Sequence, residues 1–83
     1  MSSDVQDHLN DLAKHTIEAL EYGAEDYVRH HIGSLGHRDF QGMKIVFDLR
    51  GNDYALMNRD MLEEVIKDEM SKDFQDRVTI ISE

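Results

Sequence analysis

The chain contains no cysteine and no proline. Without cysteine it can form no disulfide and no thiolate zinc site. That usage fits a reducing cytoplasm, which is the expected location. Without proline, no sheet edge is blocked, so edge pairing between subunits stays open. No stretch approaches the ~20 apolar residues that a membrane span needs. The first eleven residues, MSSDVQDHLND, hold no basic region and no apolar run, and do not read as a signal peptide. Catalytic signatures are missing too: there is no Gly-x-Ser-x-Gly, phosphate loop or HExxH. Carboxylates on an exposed helix face keep ordinary acidity and do little acid–base work. A chain of 83 residues rarely builds a water-excluding pocket alone. The expectation is a protein that is not an enzyme, with no cofactor and no metal.

Basic residues are also scarce: nine Lys and Arg against eighteen Asp and Glu, for a net charge of −9. The acidity is uneven. Residues 1–28 carry seven acids and one base, residues 29–58 three acids and four bases, and residues 59–83 eight acids and four bases. Direct binding to nucleic acid is disfavoured, because phosphate affinity needs clustered Lys and Arg. Anionic membrane surfaces are disfavoured for the same reason. Basic proteins are the natural partners.

What is present is strong periodicity. The 83 residues form one domain, 1–83. A chain this size buries only about 60–65% of its unfolded surface, so its core is thin and a dimer interface would help. A hydrophobic fraction of 40% with clear periodicity argues against disorder. A first helix is expected over about residues 4–32, with Ser3 as N-cap and Ser3-x-x-Gln6 as capping box. Its apolar face is Leu9, Ala13, Ile17, Leu20, Ala24 and Tyr27, flanked by Val5, Leu12 and Val28. Gly23 weakens its middle by about 1 kcal/mol relative to Ala, and Tyr22-Gly23 is where a break or kink would fall. Gly33 is the expected residue just past its end.

Residues 33–42 hold three glycines and read as a loop. Residues 43–50 alternate as a strand, with Ile45, Phe47 and Leu49 on one side. Gly51-Asn52 is a hairpin signal. It would pair Arg50 with Asp53, Leu49 with Tyr54 and Phe47 with Leu56. Asn58 is the expected cap of a second helix, about 59–71, with Met61, Leu62, Val65, Ile66 and Met70 apolar. Residues 78–81 read as a third strand, which a right-handed crossover places beside the first. The expected fold is a small two-layer α+β domain of order α-β-β-α-β. Both helices, the first one long, pack on a three-stranded, mostly antiparallel sheet.

The most informative pattern is a stripe. Asp4, Asp7, Asp11, Glu18, Glu21 and Glu25 follow the alternating spacing that keeps residues on one helical face, with Lys14 in the only gap. Like charges so spaced repel by roughly 0.2–0.5 kcal/mol per pair, so folding does not ask for them. The stripe would span roughly 30 Å, with successive carboxylates ~5 Å apart along the axis. That approaches the spacing of phosphates along a DNA strand. Glu63, Glu64 and Asp68 form a second acidic patch on the second helix. The plain alternative is an ordinary solvated face.

Histidines give a weaker pattern. His30, His31 and His37, with Asp39, cluster in sequence, but His30 and His31 point about 100° apart on a helix and match no standard zinc spacing. Partial burial is expected for His31, and His8 and His15 border the apolar face. Gly33-Ser34-Leu35-Gly36 resembles the GXXG of KH domains, yet leads into a strand rather than joining two helices. Arg38 and Phe40 sit in the same loop, Phe40 as a core anchor.

In size and charge the chain resembles small acidic proteins of phage and mobile elements that block restriction or CRISPR systems. It equally resembles acidic immunity proteins and antitoxins that plug nuclease sites. The resemblance covers bulk properties and carries over no residues. It implies an inhibitor or decoy that occupies the basic nucleic-acid-binding surface of another protein through the two acidic patches. The alternative is a homodimeric structural or adaptor protein whose charge only keeps it soluble.

Overall fold

A computed structural model describes residues 2–35 and 42–83, with side chains from Val5 onward. The elements are α1 (Ser2–Glu21), α2 (Glu25–Leu35), β1 (Ile45–Asp48), α3 (Asp53–Met57), α4 (Arg59–Glu69), α5 (Lys72–Gln75) and β2 (Val78–Ile81). This corrects the expected architecture. The described residues are mostly helical, and the sheet has two parallel strands rather than three mostly antiparallel ones.

The long first helix breaks at Gly23, which adopts φ +64°. The Gly23 N–H bonds the Leu20 carbonyl (2.9 Å) and the Ala24 N–H bonds the Ala19 carbonyl (3.0 Å). This pair of bonds, closed by a glycine in the left-handed region, satisfies carbonyls that a helix end leaves orphaned. α2 then packs against α1. The break re-phases the apolar face. α1 buries Leu9, Leu12, Ala13, Thr16, Ala19 and Leu20, whereas α2 buries Val28, Ile32 and Leu35. Tyr27, expected in the apolar face, is 66% exposed. Thr16 is tolerated in the core because its hydroxyl donates to the Leu12 carbonyl (2.7 Å). At the N-terminus Ser3 lies inside the helix rather than ahead of it, and Gln6 donates to Asn10 (3.0 Å). At the other end the helix runs through Gly33 to Leu35, so Gly33 does not terminate it.

The hairpin is absent. Gly51, at φ +82°, turns the chain, and Asn52 caps a helix. Asn52 Oδ1 accepts from the Ala55 N–H at 3.0 Å. A side-chain cap of this kind favours helix by satisfying an orphan donor, so residues 53–57 wind up instead of pairing with β1. Tyr54 is exposed rather than stacked across from Leu49. Arg50 pairs with Asp48 (2.8 and 2.9 Å) rather than with Asp53.

The second helix is present as α4, burying Leu62, Val65 and Ile66. Asn58 makes no side-chain cap for it. Its Nδ2 donates to the carbonyls of Leu20 (2.8 Å) and Tyr54 (2.9 Å), joining the ends of α1 and α3. The strand over 78–81 is β2, beside β1 in the register Ile45–Val78 through Asp48–Ile81. Parallel strands need a long crossover, which α3, α4 and α5 supply. Phe47, Ile45 and Leu49 enter one core with Leu9, Leu20, Ile32 and Leu62. No helix among the described residues is long and apolar enough to cross a membrane.

Candidate functional site

Two features stand on the α1 side of the molecule. The first is the acidic stripe in reduced form. Glu25 does not belong to it, because the break at Gly23 places that residue in the first turn of α2. There Glu25 Oε1 accepts from Arg29 Nη2 (2.9 Å) and Nε (3.2 Å). Asp4 lies in α1, but its side chain is outside the described residues. Asp7, Asp11, Glu18 and Glu21 are exposed on α1. Among the described residues none of the four makes a side-chain ion pair. From Asp7 to Glu21 the face runs about 21 Å along the helix axis.

The second acidic patch is partly paired with arginine. Glu63 Oε1 accepts from Arg59 Nε at 3.0 Å. Asp68 and Glu69 accept from Arg29 Nη1 at 3.4 and 3.3 Å. Arg29 thus ties α2 to α4 through Asp68 and Glu69, and with Glu25 these carboxylates hold its guanidinium pKa above the ordinary value. Glu64 is exposed and has no ion pair among the described residues. The two predicted patches therefore differ: the four α1 carboxylates make no ion pair among the described residues, whereas Glu63 pairs within α4 and Asp68 pairs with Arg29 of α2.

The second feature was not visible in sequence. The corner between α1 and α2 holds an open groove of about 530 Å³. His15, Glu18 and Tyr22 line it from α1 and the turn, and Tyr27 and His31 from α2. The small side chains of Ala19 and Ala24 complete it. Tyr22 is 82% exposed, which is unusual for an aromatic ring of its size. The His31 ring lies 5.9 Å from that of His15, 6.0 Å from His30 and 6.4 Å from Tyr27. His31 is half-buried, and its Nδ1 is buried without a hydrogen-bond partner among the described residues. Burial, together with the neighbouring imidazoles His15 and His30, lowers its pKa, because a charged ring there would be poorly solvated and repelled. The groove carries the Glu18 charge, and among the described residues neither lysine nor arginine lines it.

Helical spacing could flag His15 and Tyr22 only as a helix edge. Meeting His31 requires the reversal at Gly23, so the groove is a product of that turn. His37, Arg38, Asp39, Phe40 and Gly36, named above for a metal, a partner or a GXXG turn, lie outside the described residues. Gly33, Ser34 and Leu35 of that turn are helical. Among the described residues no three His, Asp or Glu side chains gather closely enough to hold a metal ion. Comparison with protein-family models, with curated proteins and with solved structures finds no match to this chain.

Proposed function

We propose that the protein is a non-enzymatic, cytoplasmic binding protein that acts as an inhibitor or decoy. Its acidic α1 face occupies the basic, nucleic-acid-binding surface of another protein, in the manner of anti-CRISPR, anti-restriction or nuclease-immunity proteins. The observation that carries this reading is the unequal compensation of charge. Arg29, Arg50 and Arg59 pair with acids of α2, α4 and β1, while Asp7, Asp11, Glu18 and Glu21 are left exposed and unpaired among the described residues. Such a face repels itself, and a cationic groove relieves that repulsion. Docking of this kind gives fast association that falls steeply with salt.

The test is charge reversal with competition. The triple variant Asp11→Lys, Glu18→Lys, Glu21→Lys is expected to keep its helical circular dichroism. It should lose binding to any nuclease, restriction or CRISPR component that the wild type binds. Wild-type protein should displace DNA from that partner in a fluorescence-anisotropy assay. A partner bound equally well by the triple variant, or one that holds the protein and DNA together, would overturn the reading.

One observation favours a second reading, a homodimeric adaptor. Tyr54 and Met57 lie three apart on α3 and are 61% and 79% exposed, giving one apolar face on a small helix. Light scattering at high concentration decides it. A dimer that Met57→Lys dissolves supports the adaptor, and a strict monomer excludes it.

A further inference from the structure

The groove at the α1–α2 corner and the acidic face share a residue, Glu18, and that overlap has a chemical meaning. Two tyrosine rings stand exposed at the groove, at 82% and 66%. Neither earns its place by packing. A carboxylate without an ion pair among the described residues lines the same space. Asp26, exposed and likewise unpaired among the described residues, adjoins Tyr27 in the first turn of α2. The two imidazoles that line the groove, His15 and His31, sit close together, and burial disfavours charge on His31. The combination is aromatic faces, negative charge and, among the described residues, no lysine or arginine in the lining. That is the environment that attracts a planar, weakly hydrated cation: the ring faces supply quadrupole attraction and the carboxylate supplies a paired hydrogen-bond acceptor. Lysine fits this less well. Its ammonium is compact and strongly hydrated, and it cannot present a flat surface to a ring.

Resting on the acidic-face reading above, we infer that this groove is the anchor point of that face. It takes one arginine side chain of the basic partner, the guanidinium stacked on Tyr22 and Tyr27 and hydrogen-bonded to the Glu18 carboxylate. The rest of α1, through Asp7, Asp11 and Glu21, steers and orients the partner by longer-range attraction. Binding energy then concentrates at one aromatic–arginine contact, with the remaining carboxylates setting rate and register.

The probes are two capped peptides, tetra-arginine and tetra-lysine, titrated at low salt into the full-length ¹⁵N-labelled protein and followed by amide chemical shifts. Tetra-arginine is expected to bind about fivefold more tightly than tetra-lysine, from cation–π stacking at exposed rings. Its largest shifts should fall on Glu18, Tyr22, Tyr27 and His31. Tyr22 and Tyr27 are exposed, so the double variant Tyr22→Ala, Tyr27→Ala is expected to fold. It should bring tetra-arginine down to the tetra-lysine affinity and leave tetra-lysine unchanged. Equal affinities for the two peptides, or shifts confined to Asp7 and Asp11, would overturn the groove while leaving the acidic-face reading intact. No binding of either peptide would overturn both. Shifts at Tyr22 and Tyr27 that follow protein concentration without peptide would assign the groove to a second copy of the chain and overturn the proposal.

Discussion

At the residue scale, Gly23, His31 and Asp48 each carry a consequence that can be measured. Gly23 holds φ +64° with open space around the position a Cβ would take, so a substitution there meets backbone strain rather than a clash. Gly23→Ala is expected to cost about 1–2 kcal/mol in urea unfolding, with Gly23→Asn milder because Asn tolerates the left-handed region. His31 has a folded-state pKa below its ordinary value of 6.5, from burial and the His15 and His30 rings. The unfolded chain therefore takes up this proton first as pH falls. Stability from this group is complete above pH 6.5 and declines as pH drops below it. His31→Gln should flatten the pH dependence of unfolding on the acid side of neutrality, and an unchanged slope would show the ring is not held neutral. Asp48 acts in the same direction at lower pH. Hydrogen bonds from the Arg50 side chain and backbone lower its pKa from 3.8 to about 2. Its contribution is present above 3.8 and is lost as pH falls through about 2. Asp48→Asn should remove that part of the acid transition, small because the pair is exposed.

At the scale of elements, local chemistry at an element end overrode periodicity after β1. The alternation of residues 43–50 predicts a strand, and β1 occupies its middle, Ile45–Asp48. The residues after it were legible only as a turn followed by apolar positions. Gly51-Asn52 serves a helix cap as well as a hairpin, and Asn52 chose the cap. Asn52→Ala is expected to cost about 1 kcal/mol, measurable by thermal or urea unfolding, because the Ala55 N–H loses its acceptor. Asn58 shows the limit of cap reading more sharply. Its amide joins the carbonyl of Tyr54, one turn back, to that of Leu20, a remote partner that no local pattern could name. The second acidic patch failed for a similar reason. Glu63 finds Arg59 within its own helix, a pairing that i,i+4 spacing permits. Asp68 finds Arg29 on another helix, and that depends on how α2 packs on α4.

At the scale of the whole molecule, one thin core holds all the elements, and Phe47 sits in it fully buried. Phe47→Ala is expected to cost about 3–5 kcal/mol, enough to unfold much of a domain this small, whereas exposed Tyr22→Ala should leave the melting temperature nearly unchanged. Which residues are apolar, where helices begin to be favourable, and the excess of carboxylates on the α1 face are properties of the chain itself. They follow from side-chain chemistry and helical spacing, which need no knowledge of neighbours. The sequence alone therefore determined that α1 would bury Leu9, Leu12, Ala13 and Leu20 and turn Asp7, Asp11, Glu18 and Glu21 outward. It also predicts a strand over 78–81, but the parallel pairing of that strand with β1 follows from the helical crossover and not from the hairpin expected before it. Only the tertiary structure decided the rest. Gly23 could have continued a helix at modest cost, but packing of α2 back on α1 buries Val28, Ile32 and Leu35, and that gain favours the turn. The same reversal removed Glu25 from the stripe and opened the groove that Glu18, Tyr22, Tyr27 and His31 line. The approach of His15 to His31 and the pairing of Arg29 with Asp68 and Glu69 join separate helices, and their energies appear only once the helices are docked.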